Sequence, residues 1–303
     1  MKIGTRGSKL ALWQANWVAE QVREKYPQEP VEIVVISTEG DRSQVAETPL
    51  GESAGRGIFV KDIERALLAG EIDAAVHSAK DLPSTDAEGT VLAAFCERGD
   101  PRDALVSPKY GTLAALPEGA RLGTGSARRI AQLLAARPDL NFVEVRGNVD
   151  TRLRKLEEGA ADALVLACAG LNRLGLGHVV TEPLDPEICL PQVGQACVAV
   201  QVRASDPETG QKITDACDHF GTRREVLCER AFLAHLGGGC TAPVGAYAIS
   251  SDRFLYLFAL VSSLDGTKIV KTRTSGHPSE VFDIARRAYE DLKKRGALEL
   301  LKH

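Results

Sequence analysis

The chain has 303 residues, of which 44% are hydrophobic and 26% charged, with a net charge of −4 at pH 7. That length suggests two or three domains, each able to bury its own core, and the balance excludes a disordered or fibrous protein. There is no apolar run of about 18 residues and no apolar core behind Met1-Lys2-Ile3-Gly4, so neither a membrane partner nor export is expected.

Residues 2–5 read as a strand, and from Ser8 the spacing of Leu10, Trp13, Trp17, Val18 and Val22 predicts a helix. Arg6 and Ser8 thus fall in a strand-to-helix turn, where backbone N–H groups receive an anion well; Ser8 also suits the helix N-cap. Glu32 to Thr38 reads as a buried strand, and the polar stretch 39–56, which has no apolar period, as a lid. A helix is expected from Ile58 to Ala69 and a strand from Asp73 to Ser78, which puts Lys80 and Asp81 at a strand's C-terminal end, where α/β sheets hold ligands. His77, inside that strand, suits a core histidine better than a catalyst. Val91 to Phe95 forms another strand, and Glu97 to Arg102 a crossover.

Beyond Ala104 strands and helices alternate: strand Arg121 to Thr124, helix Ser126 to Ala136, strand Asn141 to Val145, helix Val149 to Glu158, strand Ala163 to Ala167, helix Gly170 to Leu174. This alternation predicts a parallel sheet with crossover helices. Between Arg121 and Lys155 seven arginines and one lysine stand against three acidic residues, so an anionic partner is expected. Gly123-Thr124-Gly125-Ser126-Ala127-Arg128-Arg129 matches neither a dinucleotide fingerprint nor a phosphate loop. What remains is a glycine turn, a helix N-terminus and two arginines, suited to carboxylate or phosphate. Arg128, Arg129, Arg146 and Arg152 can converge at strand ends, whereas Arg137 and Arg154 read as solvated helix-face charges. Phe142 is the one aromatic residue between 121 and 155, which leaves no stacking platform for a nucleic acid.

Val193-Gly194-Gln195 reads as the return hinge, and Cys197 to Val202 as a strand that rejoins the first sheet. Thr222-Arg223-Arg224-Glu225 matches a capping box opening a helix through His235. Strands Val244 to Ile249, Phe254 to Val261 and Lys268 to Thr274, with a turn at Leu264-Asp265-Gly266 and a helix from Pro278 to Arg295, complete a small α+β unit. Seven cysteines, Cys96, Cys168, Cys189, Cys197, Cys217, Cys228 and Cys240, are odd in number and never spaced Cys-x-x-Cys, which argues for a reducing compartment, the cytoplasm. Cys240 stands out, because Gly237-Gly238-Gly239 precedes it and Pro243 follows. One glycine suffices to stop a helix, and the other two display the thiol.

Several chemistries fit these residues. A cysteine hydrolase could use Cys240 with His77 or His235, although the negative end of the preceding helix disfavours a thiolate. A metal site could use Cys228, His235 and Cys240 but lacks a fourth ligand. A non-enzymatic two-lobed anion-binding protein explains the arginines and hinges and leaves Cys240 idle.

Six motifs, in order, resemble the porphobilinogen deaminase (hydroxymethylbilane synthase) family. They are Thr5-Arg6-Gly7-Ser8-Lys9-Leu10-Ala11-Leu12-Trp13-Gln14, Val76-His77-Ser78-Ala79-Lys80-Asp81-Leu82-Pro83, Gly125-Ser126-Ala127-Arg128-Arg129, Arg146-Gly147-Asn148-Val149, Leu190-Pro191-Gln192-Val193-Gly194-Gln195 and Gly238-Gly239-Cys240. The resemblance implies an α/β fold: two periplasmic-binding-protein-like (type II) lobes with hinge crossovers and a small α+β C-terminal domain. Domain 1 would comprise 1–97 and 196–216, domain 2 102–192 and domain 3 220–303. It implies an enzyme that joins four porphobilinogen molecules head to tail with release of ammonia, then hydrolyses the chain free as hydroxymethylbilane.

The resemblance further implies a monomer and a dipyrromethane cofactor, made from the substrate and held by a thioether on Cys240. Asp81 would be catalytic, holding pyrrole N–H groups. Lys80, Asp81, Ser126, Arg128, Arg129 and Arg146 would bind the cofactor, and Arg6, Ser8, Gln14, Arg146, Arg152, Arg173 and Gln195 the substrate. The chain departs from the family in two places. Gly194-Gln195-Ala196-Cys197 stands where the family reads Gly-Gln-Gly-Ala, so a backbone that needs glycine at 196 would be strained. Gly237 stands where a polar residue is common, which loosens the cysteine loop.

Overall fold

The computed structural model describes residues 1–38, 60–238 and 242–301, so the expected lid 39–56, the expected helix start at Ile58, and Cys240 lie outside the described residues. In chain order the strands are β1 (Lys2–Thr5), β2 (Glu32–Val35), β3 (Ala74–Ser78), β4 (Thr90–Phe95), β5 (Asp103–Val106), β6 (Arg121–Gly123) and β7 (Asn141–Val143). They continue with β8 (Ala163–Ala167), β9 (Glu182–Pro183), β10 (Val198–Arg203), β11 (Val244–Ser250), β12 (Leu255–Ser262) and β13 (Ile269–Gly276). The α-helices are α1 (Lys9–Lys25), α2 (Lys61–Leu68), α3 (Ala127–Ala136), α4 (Val149–Glu157), α5 (Cys168–Arg173), α6 (Pro207–Cys217), α7 (Phe220–His235) and α8 (Val281–Lys294). Contacts divide the chain into two units, Met1–Gly99 with Cys197–Val226 and Asp100–Ala196 with Leu227–His303.

The first unit holds a five-stranded sheet in the order β2-β1-β3-β10-β4. β1 runs parallel to β2 and β3; the returning strand β10 rejoins this sheet as expected, and enters it antiparallel between β3 and β4. β3 and β10 are buried almost throughout, which is why they read as continuous apolar runs rather than alternating ones. The Ser8 hydroxyl caps α1 by accepting from Ala11 N at 3.3 Å, and Ala15, Val18, Ala19 and Val22 pack with Ile3, Val76 and Val200. α6 was not anticipated, although Asp206 before Pro207 is an N-cap followed by proline at the first helical position; Asp206 Oδ1 accepts from Thr209 N at 3.1 Å. α7 starts at Phe220 rather than at Thr222. His219 Nδ1 accepts from Thr222 N at 3.2 Å, so the imidazole does the capping assigned to the Thr222 capping box.

The second unit carries two sheets. One has the order β7-β6-β8-β5-β9, with β6 parallel to β7 and β8 but β5 antiparallel to β8 and β9. The expected parallel sheet is therefore mixed. β5 is the first strand after the crossover, needs no helix to reach its place, and so is free to run antiparallel. Both five-stranded sheets share one plan: three parallel strands in the order 2-1-3, an antiparallel strand arriving from the crossover, then an edge strand. This is the type II binding-protein-like lobe. The other sheet is the antiparallel meander β11-β12-β13, covered by Val281, Ile284, Ala285, Ala288 and Leu292 of α8.

Ala196 ends the first segment of the second unit with φ +72°, and among the described residues no other non-glycine residue has positive φ. Its carbonyl accepts from Arg173 Nη2 at 2.6 Å, and the preceding Gly194 N donates to the buried Glu229 Oε2 at 2.7 Å. The segment is held from both sides, so the left-handed conformation persists despite the methyl group.

Two outcomes follow from these placements. A left-handed residue bearing a Cβ costs about 1–2 kcal/mol, of which glycine's looser unfolded chain returns about 0.4–1. Ala196→Gly should therefore raise the urea-unfolding midpoint, by about 0.5–1 kcal/mol in stability; an unchanged or lower midpoint would show the backbone relaxed at alanine. In β3, burial lowers His77 to about 4, with the Asp81 charge pulling it up and the Arg6 charge pushing it down. The folded chain then binds fewer protons than the unfolded one between pH 6.5 and 4, so stability is lost as pH falls through that window, by about 3 kcal/mol. The stability advantage of wild type over His77→Gln should shrink from pH 7 to pH 4.5, and a constant difference would contradict a buried neutral imidazole.

Candidate active site

In the first unit the functional residues gather at the C-terminal ends of β1 and β3. Arg6 to Ser8 turn the chain from β1 into α1, and Ala79–Asp81 form a single 3-10 turn directly after β3. Gln14 of α1, buried, ties these turns together: its Nε2 donates to Ser78 Oγ at 2.9 Å. The turn bearing Lys80 and Asp81 is pinned by Ala79 N donating to the Cys197 carbonyl at 2.9 Å. Asp81 and Arg6 both act electrostatically on the buried His77, with opposite sign, so both charges lie near the end of β3. Asp81, Lys80 and Arg6 are all half-buried, open enough to meet a ligand.

In the second unit the arginines are organised by a residue the sequence reading passed over. Asp103, the first residue of β5, is 0% exposed. Its Oδ1 accepts from Arg129 Nε at 3.0 Å, from Arg129 Nη2 at 2.7 Å and from Gln195 Nε2 at 3.0 Å. Its Oδ2 lies 2.7 Å from Arg128 Nη1 and accepts from Cys189 Sγ at 3.3 Å. Burial pushes the Asp103 carboxyl up, but the charges of Arg128 and Arg129 outweigh it and hold the group well below the usual carboxylate range. Arg128 and Arg129 are 3% and 7% exposed. Arg129 also gives Nη1 to the Val165 carbonyl at 2.8 Å, so each of its guanidinium nitrogens is engaged. Arg128 is different: Nη1 serves Asp103 and the Leu190 carbonyl, while Nε and Nη2 are buried without a hydrogen-bond partner among the described residues.

The other predicted binders vary. Arg152 gives Nε to the Gly147 carbonyl at 2.8 Å and has no ion pair among the described residues; burial, with the nearby Arg129 charge, lowers it to about 10. Arg128, Arg129 and Arg152 thus form one partly compensated cationic cluster. Arg146 is more than half exposed and pairs with Glu144 at 2.6 Å. Ser126 precedes α3 with an extended backbone and makes no capping bond, while Gln195 also gives Nε2 to the Pro101 carbonyl at 2.7 Å. Local acids absorb most of the positive charge counted along this stretch: Arg121 pairs with Asp162, Arg137 with Asp139 and Arg154 with Glu158. Arg137 is not a solvated charge, since its Nη2 donates to the Leu116 carbonyl at 2.8 Å and fastens the loop before β6.

The six described cysteines are free and buried, and burial pushes Cys168, Cys189 and Cys228 each up to about 12. These thiols stay protonated and inert at neutral pH. Before Cys240, Gly238 N donates to the Leu233 carbonyl and Gly237 N to the Ala234 carbonyl, both at 3.0 Å, the paired bonds of a Schellman stop. Gly237 and Gly238 have φ of +81° and +72°, so two of the three glycines end α7 and do not serve display alone. A Cβ at Gly237 would meet nothing within 4 Å; only its backbone conformation calls for glycine.

Comparison with known proteins places these residues in a family. Residues 1–211 match the family model described as porphobilinogen deaminase, dipyromethane cofactor binding domain, and residues 223–294 match its C-terminal domain. The porphobilinogen deaminase of Carboxydothermus hydrogenoformans is 44% identical over 99% of this chain and 95% of its own. That of Roseiflexus castenholzii is 46% identical over 99% of this chain and 98% of its own. Among solved structures, the periplasmic VFT2 domain of Bordetella pertussis BvgS aligns with 71% of this chain and 86% of its own at a TM-score of 0.42 and 16% identity, a likeness that says nothing of chemistry. With both family models matched in order and relatives similar along nearly the full length, the chain belongs to the porphobilinogen deaminase family.

Proposed function

We propose that the chain is a hydroxymethylbilane synthase: it joins four porphobilinogen molecules head to tail, releases ammonia at each addition, and hydrolyses the product free as hydroxymethylbilane. The observation that carries this reading beyond family membership is Arg128. Its Nε and Nη2 are buried without partners, which costs about 1–3 kcal/mol for each group left unpaired. Those two nitrogens form one edge of the guanidinium, the edge that takes a carboxylate two-pronged. Porphobilinogen and a dipyrromethane built from it carry acetate and propionate groups on every ring, so the donor set fits the cofactor. Arg152, charged and without an acidic partner among the described residues, suits a second carboxylate.

On this reading Cys240 anchors the dipyrromethane by a thioether, and Lys80, Asp81, Ser126, Arg128, Arg129 and Arg146 hold it. Arg6, Ser8, Gln14, Arg146, Arg152, Arg173 and Gln195 serve the incoming porphobilinogen. When bound, the cofactor supplies a pyrrole ring with an open α-carbon to which the first substrate unit is joined. Asp81 handles charge. Loss of ammonia from the aminomethyl arm of porphobilinogen leaves an electron-poor cationic ring, and a fixed carboxylate placed where that charge develops lowers the barrier. The same carboxylate accepts the pyrrole N–H and takes up the proton expelled after ring attack. Arg6 and Lys80 neutralise substrate acids and keep them from competing for the cation. Gln14 holds the Ser78 hydroxyl, so the turn that presents Asp81 keeps its direction.

We assign the chain three domains, 1–97 with 196–216, 102–192 and 220–303, and a monomeric, cytoplasmic existence. The location is supported by six free cysteines; no helix among the described residues is long and apolar enough to cross a membrane. Asp81→Ala should fold with unchanged circular dichroism yet lose at least about 100-fold in porphobilinogen consumption, the scale of a removed charge-stabilising group. A variant that keeps more than about a tenth of the wild-type rate would remove Asp81 from the chemistry.

A further inference from the structure

Two adjacent arginines with the same sequence signature do different work here. Arg129 spends its Nε/Nη2 edge on Asp103 and its Nη1 on the Val165 carbonyl. Arg128 spends Nη1 on Asp103 and the Leu190 carbonyl and keeps its Nε/Nη2 edge unpartnered inside the protein. A planar guanidinium fixed at one corner has its opposite edge fixed as well. Asp103 is therefore the group that decides where the open edge of Arg128 points, and it is rigid because five donor atoms from four residues converge on its two oxygens.

We propose that Asp103 is a positioning residue for the carboxylate-binding edge of Arg128, that Arg129 contributes to the cofactor site through its charge as the partner of Asp103, and that Gln195 couples this triad to the return segment ending at Ala196. The assignment rests on the functional reading above. Two buried guanidiniums without a counter-charge repel one another, so the carboxylate holds them side by side. Cys189, protonated and donating to Oδ2, and Gln132, whose Nε2 donates to the Leu190 carbonyl at 3.2 Å, fix the far side of the same cluster. The carbonyl of Leu190 thus receives both Arg128 and Gln132, which holds the Nη1 corner of the Arg128 guanidinium. No part of this network is exposed to exchange its partners with water, so its geometry exists before any ligand arrives.

The test follows covalent loading rather than turnover. Wild type, Asp103→Asn, Asp103→Glu and Asp218→Asn are synthesised in a porphobilinogen-free translation mixture, then given porphobilinogen, and the gain of two deaminated units is timed by intact mass. Asp218 is the control: a largely buried carboxylate of the first unit that accepts from Phe95 N at 2.8 Å and Arg223 Nε at 2.7 Å. Because Asp103→Asn can fail to fold, Asp103→Glu keeps the charge and shifts the fork by one methylene; circular dichroism and thermal midpoints establish which variants are native. The expectation is that native Asp103→Glu loads at least about tenfold more slowly, with a higher half-saturating porphobilinogen concentration, as a displacement of about 1 Å in a positioning group demands. Asp218→Asn should load within about twofold of wild type, since it touches stability alone. Loading of Asp103→Glu or native Asp103→Asn at the wild-type rate overturns the assignment, as does equal slowing by Asp218→Asn. A wild-type chain that gains no mass overturns the functional reading itself, and this assignment with it.

Discussion

A single buried carboxylate holds the paired arginines of the second unit in place. Asp103 sits at the start of β5, where the chain has just crossed over, and it balances Arg128 and Arg129 in an interior that would otherwise expel both. Burying three charged groups is rarely a net gain in stability, whereas removing one member of such a set costs about 3–5 kcal/mol because the others are left uncompensated. The arrangement gives direction instead. Its cluster retains a net positive charge, and the one guanidinium edge not consumed internally belongs to Arg128.

The first unit solves a different problem by different means. Asp81 is not buried in a salt-bridge network but carried on a 3-10 turn at a strand end, braced by the Cys197 carbonyl and by the Gln14–Ser78 pair. In the proposed reaction a carboxylate that meets a transient cation has to stay available, and here the surrounding bonds hold the turn while Asp81 itself is half-buried. His77 one residue inside β3 remains uncharged, which spares Asp81 a permanent cationic neighbour on that side. Gly237 and Gly238 serve to stop α7, and the six described cysteines are free and buried, which in the proposed reading leaves the thioether to Cys240.

Much of this was legible in the sequence because periodicity and strand-end position are local signals. β1, β3, α3, β8 and the meander β11-β12-β13 were readable from apolar spacing, and Lys80 and Asp81 from their place after a strand. What escaped depended on distant partners. β5 is four residues long and begins with aspartate, so nothing local marks it as a strand, and only its pairing with β8 and β9 makes it one. The charge count over 121–155 could not include Asp103 or Asp162, which lie outside that window yet pair with Arg128 and Arg129 and with Arg121. α6 was readable in principle from Asp206-Pro207, a helix opening that lacks a strong apolar period behind it. At Ala196 the departure from the family's glycine was visible in the sequence, and the strain it creates is a matter of φ.

The central claim is that this chain carries its own covalent primer on Cys240, and intact mass under denaturing conditions tests it most directly. The protein as purified from a porphobilinogen-producing cell should exceed its sequence mass by two deaminated porphobilinogen units, and Cys240→Ala should return to the sequence mass and lose activity. A fully active chain at its unmodified mass would contradict the account.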